Sequence, residues 1–267
     1  MFEYHRDKER YFDMQYRTAR DFIIPFIESH HALAPGQHVL EIGCAEAGVL
    51  KAFRERGMPC TGVDLNASRI EWARQFHQSG FDEPEIELHA GDVFAYAADF
   101  PGERRFDWII LKDVIEHIPD QEKFLVKLKT LLNPGGHIFF GFPPWQMPFG
   151  GHQQMARSRL VSRIPWLHLL PRNLYRVILE SAGEANEVVE ELMEIAATGL
   201  SIERFEAILI KAGMEQSGRR LFLTNPIYAY KFGIHPRLVP SPLANMPWIR
   251  NFYCTAAYYL VQAERSR

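Results

Sequence analysis

The fold of this 267-residue chain is decided by the stretch Val39-Leu-Glu-Ile-Gly-Cys-Ala-Glu-Ala-Gly48. Its first four residues form a short apolar run typical of a buried strand, and the run ends at Gly43. Small residues fill most of the positions up to Gly48, and a helical pattern begins at Val49. A strand that breaks into such a turn lets a ligand approach the backbone closely. The N–H groups at the start of the following helix are free to donate to that ligand.

Two ligand classes can be separated by the residues of this turn. A dinucleotide site requires the pattern G-x-G-x-x-G, with the pyrophosphate seated on the helix N-terminus. Ala45 stands at the second glycine of that pattern, and Glu41 lies two residues before the first. A carboxylate beside the ligand would repel a pyrophosphate and attract a cation. The sequence therefore favours a positively charged ligand.

The composition is that of an ordinary globular protein, with 47% hydrophobic and 24% charged residues. The length suits one large α/β domain or a domain with an insertion. A formal net charge of −3 offers no general attraction for a polyanion, so DNA binding is not expected. The three cysteines, Cys44, Cys60 and Cys254, lack metal-ligand spacing and are expected as buried thiols in a reducing compartment.

Targeting signals are also absent from the sequence pattern. Residues 1–10 are too charged for a signal peptide, and no apolar run approaches the length of a membrane span. These features predict a cytoplasmic protein.

Strand-like and helix-like segments alternate along the first half of the chain, which predicts βαβ units and a parallel sheet. The predicted strands are 39–42, 60–64, 86–92, 106–113 and 137–142, and the predicted helices are 49–56, 67–78 and 121–132. Residues 7–30 read as one or two amphipathic helices that Pro25 kinks or separates.

We expect one domain over residues 1–267, built in four parts. N-terminal helices occupy 1–33, the ligand-binding core 36–142 and an insertion 143–200, and a closing helix and strand pair occupy 201–267. The last two strands are joined by a loop in place of a helix, which predicts an antiparallel pair.

Four acids, Glu41, Asp64, Asp92 and Asp113, follow successive predicted strands at or near their carboxyl ends. Ligands of open parallel sheets sit outside those ends. Any one acid is read equally well as a solvated loop residue, but four in register favour a binding role. A ligand with two ribose hydroxyls, an adenine amine and a positive charge would use Asp64, Asp92 and Glu41 in that order.

Five motifs together resemble the class I S-adenosylmethionine-dependent methyltransferases. Their order and spacing match the family over residues 36–142. The motifs are the opening stretch, Gly62-Val-Asp-Leu-Asn66, Gly91-Asp-Val93, Asp113-Val-Ile-Glu-His-Ile118 and Leu132-Asn-Pro-Gly-Gly136. The chain departs from the family pattern by alanine at positions 45 and 47, where relatives often carry glycine.

The resemblance implies an α/β, Rossmann-like fold. Its seven-stranded, mostly parallel sheet would carry helices on both faces, an antiparallel last strand and a mainly helical insertion after the fifth strand. S-adenosylmethionine is the implied cofactor and S-adenosylhomocysteine the product, and no metal is expected. The implied cofactor contacts are Glu41, Gly43, Cys44, Ala45, Asp64, Leu65, Asp92, Val93, the backbone near Lys112, and Asp113. Tyr11 and Tyr16 are candidate lid residues by the same analogy, with a place in the core as the alternative.

Methyl transfer requires mainly alignment, and a base matters only if the acceptor must lose a proton. His117, just beyond the fourth strand, and His152, in a glycine-flanked loop beyond the fifth, are the candidate bases. A structural role for His117 is the alternative interpretation.

The favoured function is methyl transfer to a small-molecule acceptor, with oxygen as the acceptor atom, because no Asn-Pro-Pro-Tyr type motif follows the fourth strand. A catalytically silent scaffold protein with the same fold is the rival interpretation. An RNA methyltransferase is a third, for which no appended RNA-binding module is found. The sequence leaves the acceptor and the oligomeric state open.

The insertion divides into a basic half and an acidic half. Residues 157–176 carry five arginines and no acid, and the stretch from there to Glu206 carries eight glutamates and one arginine. In one interpretation the two halves are helices that pack on each other with their charges paired. In the other, the basic half forms a lid. Such a lid would grip an anionic or lipid-linked acceptor, or would contact an anionic membrane surface peripherally.

Overall fold

The computed structural model describes residues 7–78, 85–98 and 105–263. Residues 1–6 and 264–267, which belong to the first and last predicted parts, lie outside the described residues. Over the described ranges, no helix combines the length and the hydropathy that a bilayer span requires.

The described residues form one mixed sheet of eight strands, in the order β3-β2-β1-β4-β5-β8-β6-β7. The strands are β1 (Val39–Ile42), β2 (Cys60–Asp64), β3 (Ile86–Ala90), β4 (Phe106–Lys112), β5 (Leu132–Phe142), β6 (Met214–Thr224), β7 (Arg237–Leu238) and β8 (Ala256–Ala263). β1 to β5 pair in parallel, and β8 lies antiparallel between β5 and β6. The predicted α/β class and the antiparallel last strand are therefore confirmed. The two-residue β7 adds an eighth strand to the seven expected.

Helices cover both faces of this sheet and close a separate core on each. The helices are α1 (Lys8–Thr18), α2 (Ile24–Glu28), α3 (Gly48–Arg54), α4 (Ala67–Phe76), α5 (Val93–Ala98), α6 (Gln121–Thr130), α7 (Arg172–Ser181), α8 (Asn186–Thr198), α9 (Ile202–Lys211), α10 (Tyr228–Phe232) and α11 (Ser241–Ala244). α6 and α9 pack on one face, and α2, α3 and α4 pack on the other. The central strands β1 and β4 are apolar because both of their faces are covered.

The N-terminal helices form one continuous rod. A π-helical stretch, Ala19–Ile23, joins α1 to α2 directly before Pro25. Because proline has no N–H and its ring crowds the preceding turn, the wider stretch lets the helix continue past it. The chain therefore passes Pro25 without a break, and the predicted kink or separation is replaced by this π-helical stretch.

α1 packs directly on the start of α3. A Cβ built on Gly48 would lie 2.3 Å from the backbone oxygen of Phe12, so only glycine admits this approach. Lys8 also forms an ion pair of 2.9 Å with the buried carboxylate of Glu46 in the turn after β1. The small residues of this turn therefore allow α1 to pack closely, in addition to letting a ligand approach the backbone.

The insertion after β5 has a small core of its own. It contains three short 3-10 turns followed by α7 and α8. The core residues are Ala156, Val161, Leu167, Tyr175, Leu179, Val189, Leu192 and Met193. α9 then begins after its N-cap Ser201, whose side chain accepts from the N–H of Arg204 at 3.1 Å.

Candidate active site

The turn after β1 keeps a left-handed backbone at three residues. Gly43 has φ +69°, Ala45 φ +51° and Ala47 φ +61°. A side chain on Gly43 would also meet Cγ2 of Val114 at 2.5 Å, so that position is closed to other residues. The two alanines take the conformation that glycine takes most easily. Their presence therefore leaves the course of the turn intact.

Asp64 joins this turn to the end of β2. Its Oδ2 accepts from the N–H of Ala45 at 2.8 Å, and its Oδ1 accepts from the N–H of Asn66 at 2.8 Å. The N–H of Gly91, after β3, donates to the backbone oxygen of Asp64 at 2.9 Å. Each carboxylate oxygen keeps a second lone pair, which a ribose hydroxyl can use. Leu65 beside it is 80% exposed.

The other predicted contacts at this edge divide into backbone and side-chain candidates. Asp92 is exposed and caps α5, its Oδ1 accepting from the N–H groups of Phe94 and Ala95 at 2.9 and 3.0 Å. Val93 and Cys44 are buried in the core, so only their backbones can face a ligand. Burial raises the pKa of the Cys44 thiol well above its usual range, which keeps it protonated.

Glu41, Lys112 and Asp113 form the charged centre of the site. Glu41 is 3% exposed, and burial raises the pKa of its carboxyl well above the usual range against the opposing charge of Lys112. The Lys112 ammonium donates a hydrogen bond to Asp113. Burial alone would lower the pKa of Lys112. The negative charge of Asp113, with smaller effects from Tyr11 and Glu41, outweighs burial and raises the pKa. The lysine side chain thus occupies a place where only its backbone was expected.

The two candidate lid tyrosines lie in different surroundings. Tyr11 on α1 is close enough to Lys112 and Asp113 for both charges to act on it, and burial, ahead of these charges, raises the pKa of its phenol. Tyr16 instead donates a hydrogen bond of 2.7 Å to Glu55 at the end of α3, and its ring packs under Lys51. The structure therefore brings Tyr11 to the charged centre and places Tyr16 away from it.

Both candidate histidines lie together beyond the ends of β4 and β5. The ring centroids of His117 and His152 are 5.0 Å apart and the rings are nearly perpendicular. Burial lowers the pKa of His152 to about 4, helped by the charge of His117 and opposed by Asp113. Burial also lowers the pKa of His117, whose side chain keeps 38% exposure. Both imidazoles are therefore neutral at neutral pH.

Three further residues reach this centre that the sequence reasoning missed. Glu116 is buried beside His117, and burial, with Asp113 second, raises the pKa of its carboxyl well above the usual range. Lys231 and Tyr228 on α10 lie near Asp113, and burial lowers the pKa of Lys231 to about 8. Glu116 lies in the motif 113–118, next to the candidate base His117. Its place in the site could therefore have been predicted from the sequence. α10 comes from a remote segment and carried no local signal.

The described residues fit the cofactor that the fold family implies. Oε2 of the buried Glu41 has no hydrogen-bond partner among them, and an ammonium group is the partner that such an oxygen lacks. The turn that follows Glu41 has no room for a side chain at Gly43.

A sequence model of the family described as "Methyltransferase domain" matches residues 11–183. The chain belongs to the class I S-adenosylmethionine-dependent methyltransferase family. The matched range runs from α1 through the core and into the insertion, and it includes every candidate site residue named from the sequence.

Curated relatives match a shorter part of the chain. A ubiquinone biosynthesis O-methyltransferase from Azotobacter vinelandii is 35% identical over 119 residues, which cover 44% of this chain and 48% of that protein. The enzyme of the same name from Chromobacterium violaceum is 33% identical over 117 residues, with coverages of 44% and 48%. The chain thus spans about half the length of the curated relatives it matches.

Solved structures agree in fold at low sequence identity. A putative sarcosine dimethylglycine methyltransferase from Galdieria sulphuraria superposes with a TM-score of 0.58 at 14% identity, covering 93% of this chain and 86% of the other. An S-adenosylmethionine-dependent methyltransferase from Clostridium acetobutylicum gives 0.56 at 12% identity, with coverages of 94% and 92%. At these identities the likeness concerns the fold alone.

Proposed function

We propose that this chain transfers a methyl group from S-adenosylmethionine to an oxygen atom of a small-molecule acceptor. The observation that carries the proposal is the pair of neutral imidazoles, His117 and His152, beyond the ends of β4 and β5. The name of the curated relatives, ubiquinone biosynthesis O-methyltransferase, supports oxygen as the acceptor atom.

The residues that would hold the cofactor lie at the ends of the first three strands. When bound, S-adenosylmethionine supplies an electrophilic methyl group on a sulfonium sulfur. Glu41 would accept from the ammonium group, Asp64 from the ribose hydroxyls and Asp92 from the adenine amine. Tyr11 and the rest of α1 would exclude water from the charged centre, which strengthens each of these contacts.

The two histidines would act on the acceptor. Alignment supplies most of the rate in such a displacement, since a near-attack geometry contributes about 7–11 kcal/mol. A neutral imidazole can also accept the proton of a hydroxyl that must ionise before attack. His152 lies on a loop that begins where the acceptor would enter, so we assign it the closer contact.

The insertion supports an anionic or lipid-linked acceptor. Of its five arginines, Arg176 pairs with Glu190 at 2.6 Å, and Arg172 donates to the backbone oxygen of Met193 at 3.4 Å. Arg157, Arg159 and Arg163 are exposed and form no ion pair with any acid in the described ranges. Large apolar side chains share this exposed surface, namely Leu160, Ile164, Trp166, Leu170, Leu174 and Val177.

The test is transfer of tritiated methyl groups from S-adenosylmethionine to a panel of phenols and catechols with and without an alkyl tail. We expect labelled methyl ethers, with the tailed probes preferred. His152→Ala should lower kcat and leave cofactor affinity within about twofold, because an interaction made in the transition state is lost.

The exposed His235 supplies the control, and His235→Ala should keep the wild-type rate. If methyl groups are transferred to amine probes and not to hydroxyl probes, the assignment of oxygen as the acceptor atom is overturned. Full activity of His152→Ala would remove that residue from the mechanism.

A further inference from the structure

His77, which follows the last residue of α4, contacts the turn after β1. Its Nε2 lies 3.0 Å from the backbone oxygen of Ala47, which is the N-cap of α3. Its Nδ1 lies 3.0 Å from Nη1 of Arg54, the last residue of α3. The imidazole therefore joins the end of α4 to both ends of α3.

The two contacts of His77 determine which of its ring nitrogens carries the proton. A guanidinium can only donate hydrogen bonds, so Nδ1 of His77 accepts from Arg54. The neutral ring then carries its proton on Nε2, and this N–H donates to the backbone oxygen of Ala47. Arg54 is buried, so water competes little for the hydrogen bond that fixes this tautomer.

The backbone that receives this hydrogen bond is left-handed. Ala47 has φ +61° and ψ +30°, a conformation that is unfavourable for alanine and freely available to glycine. The helical hydrogen bond from the N–H of Lys51 to the oxygen of Ala47 is long, at 3.4 Å. The hydrogen bond from His77 is the shorter of these two, and it holds the residue that needs support.

Holding this oxygen also fixes the start of α3. The carbonyl of Ala47 and the N–H of Gly48 belong to one planar peptide unit. Gly48 begins α3, and the backbone oxygen of Phe12 on α1 lies directly against it. A rotation of this peptide unit would therefore alter both the turn and the surface on which α1 packs.

The ring of His77 contacts α1 as well. It meets the ring of Phe12 edge on, with centroids 5.6 Å apart, and the neighbouring Phe76 lies 4.8 Å from the same ring. One side chain thus contacts the N-terminal helix and the turn after β1 at adjoining points.

Both left-handed alanines of the turn are held by side chains of the β2–α4 unit. Asp64, at the end of β2, accepts from the N–H of Ala45 at 2.8 Å. His77, at the end of α4, donates to the oxygen of Ala47. These are the two positions at which the chain departs from glycine, so the two hydrogen bonds offset what the alanines cost.

We infer that His77 is a positioning residue for cofactor binding. Its Nε2–H group holds the Ala47 peptide in the left-handed conformation that the turn requires. Its ring keeps α1 against the same turn. This role concerns the binding of S-adenosylmethionine, so it does not depend on which acceptor is methylated.

Two variants separate the hydrogen bond of His77 from its ring. His77→Phe keeps an aromatic ring beside Phe12 and removes the N–H donor. We expect its affinity for S-adenosylhomocysteine, measured by isothermal titration calorimetry, to fall about five- to tenfold, because one hydrogen bond is lost. His77→Gln keeps an N–H donor at a similar reach, so its affinity should stay within about twofold of the wild type.

Ala47→Gly supplies the rescue. Glycine adopts the left-handed conformation without help, so His77→Phe combined with Ala47→Gly should bind S-adenosylhomocysteine within about twofold of the wild type. Amide hydrogen exchange over residues 43–51 gives a second readout in the ligand-free protein. Exchange should be faster in His77→Phe and return to the wild-type rate in the double variant.

His30→Phe is the matched control. Nδ1 of His30 lies 2.9 Å from the backbone oxygen of Phe26, outside the turn after β1, and this variant should bind S-adenosylhomocysteine normally. Equal affinity of the wild type and His77→Phe, with both proteins folded by circular dichroism, would overturn the inference. A loss of affinity that Ala47→Gly does not restore would also overturn it, because His77 would then act elsewhere than through Ala47. Transfer of methyl groups to amines would overturn the proposed function and leave this inference standing.

Discussion

Asp64 accepts hydrogen bonds from two backbone N–H groups, and its remaining lone pairs can accept from a ribose. These remaining lone pairs determine how much Asp64 should contribute to cofactor affinity. Replacing it by alanine removes a charged acceptor from a half-buried position. Hydrogen bonds to charged groups contribute about 1.5–3 kcal/mol, so we expect affinity for S-adenosylmethionine to fall about ten- to a hundredfold. Isothermal titration calorimetry measures this directly.

Asp107 is the matched control for that change. Its Oδ2 accepts from the N–H of His38 at 2.8 Å and its Oδ1 accepts from Asn133 at 2.8 Å, at the opposite edge of the sheet. Asp107→Ala also loses two hydrogen bonds, one of them from a backbone N–H, and should bind the cofactor normally. Equal affinities of wild type and Asp64→Ala would remove Asp64 from the site.

Two buried histidines outside the site predict a pH dependence of stability. Burial lowers the pKa of His137 to about 4 from 6.5, with His31 assisting, and lowers that of His168 to about 4. The unfolded chain binds more protons between pH 6.5 and 4, so the free energy of unfolding should fall as pH falls through that window. At pH 5 the loss is about 2 kcal/mol for each histidine.

Urea titrations at several pH values measure this slope. His137 stacks on Trp108 with ring centroids 4.9 Å apart, so His137→Phe keeps an aromatic ring there and removes the titration. The slope should then decrease by about a third or less, because other histidines with lowered pKa values contribute to the same window, namely His168, His152, His117 and His31. An unchanged slope in His137→Phe would contradict the assignment.

The positions of single residues were predictable from the sequence where their neighbours in the chain determine them. The acids at or near the carboxyl ends of β1 to β4 come to one edge because parallel strands end there. Tyr16 and Tyr11 are only five positions apart on one helix, and their different surroundings depend on where α1 docks. The side chain of Lys112 was missed because strand periodicity says nothing about which partner a charged group finds.

At the scale of elements, the contact of α1 with Gly48 leaves no room for a side chain. Gly48→Ala places a methyl group against the backbone of Phe12, and relief requires α1 to move. Overpacking of this kind costs about 1–3 kcal/mol of stability. We expect faster cleavage of α1 in limited proteolysis and faster release of S-adenosylhomocysteine in stopped-flow measurements.

Gly135 supplies the control for that variant. It has φ +79° with nothing within 4 Å of an added Cβ, so Gly135→Ala strains the backbone at the far edge of the sheet without a clash. It should lose stability and leave release of S-adenosylhomocysteine unchanged. Equal release rates in wild type and Gly48→Ala would show that α1 does not cover the site.

The basic half of the insertion predicts binding to anionic vesicles. Attraction to an anionic surface is about 1 kcal/mol per basic residue and is screened by salt. Sedimentation should show binding to anionic and not to neutral liposomes, stronger at low salt. The double change Arg159→Glu with Arg163→Glu should weaken it at least about tenfold.

Lys123→Glu with Lys211→Glu alters the net charge equally on the exposed surfaces of α6 and α9, and it should leave vesicle binding unchanged. Equal binding of the wild type to neutral and anionic vesicles would exclude the membrane interpretation and leave a dissolved acidic acceptor.

Long periodic elements were predictable, and short ones were not. α6 and β2 begin at their predicted positions because capping residues and apolar periodicity act locally. The segment between β6 and β8 was expected to be a loop, yet it contains α10, β7 and α11. Elements of two to five residues are stabilised by the body they pack on, so their own sequence carries little signal.

The whole molecule should gain stability from the cofactor product. A ligand at a hundred times its dissociation constant stabilises the folded state by about 2.7 kcal/mol. For a domain of this size we expect S-adenosylhomocysteine to raise the Tm by about 5–10 °C. The scaffold interpretation predicts no change, and Asp64→Ala should show a smaller shift at the same concentration.

The topology was predictable only in part from the chain. Alternating strands and helices indicate a parallel sheet, but they do not state where the last strand enters. The insertion of β8 between β5 and β6 came from the family resemblance, and the structure confirms it.

The alanines at positions 45 and 47 bear on how such chains are found. Left-handed backbone costs an alanine about 1–2 kcal/mol, while alanine restricts the unfolded chain by about 0.4–1 kcal/mol relative to glycine. The second effect offsets about half of the first, so the net cost is about 1 kcal/mol. Alanine and glycine codons differ by one base. Drift can therefore cross between them in either direction without loss of the turn. A search that counts glycines would pass over this chain, and one that asks which small residues can follow the same backbone path would find it.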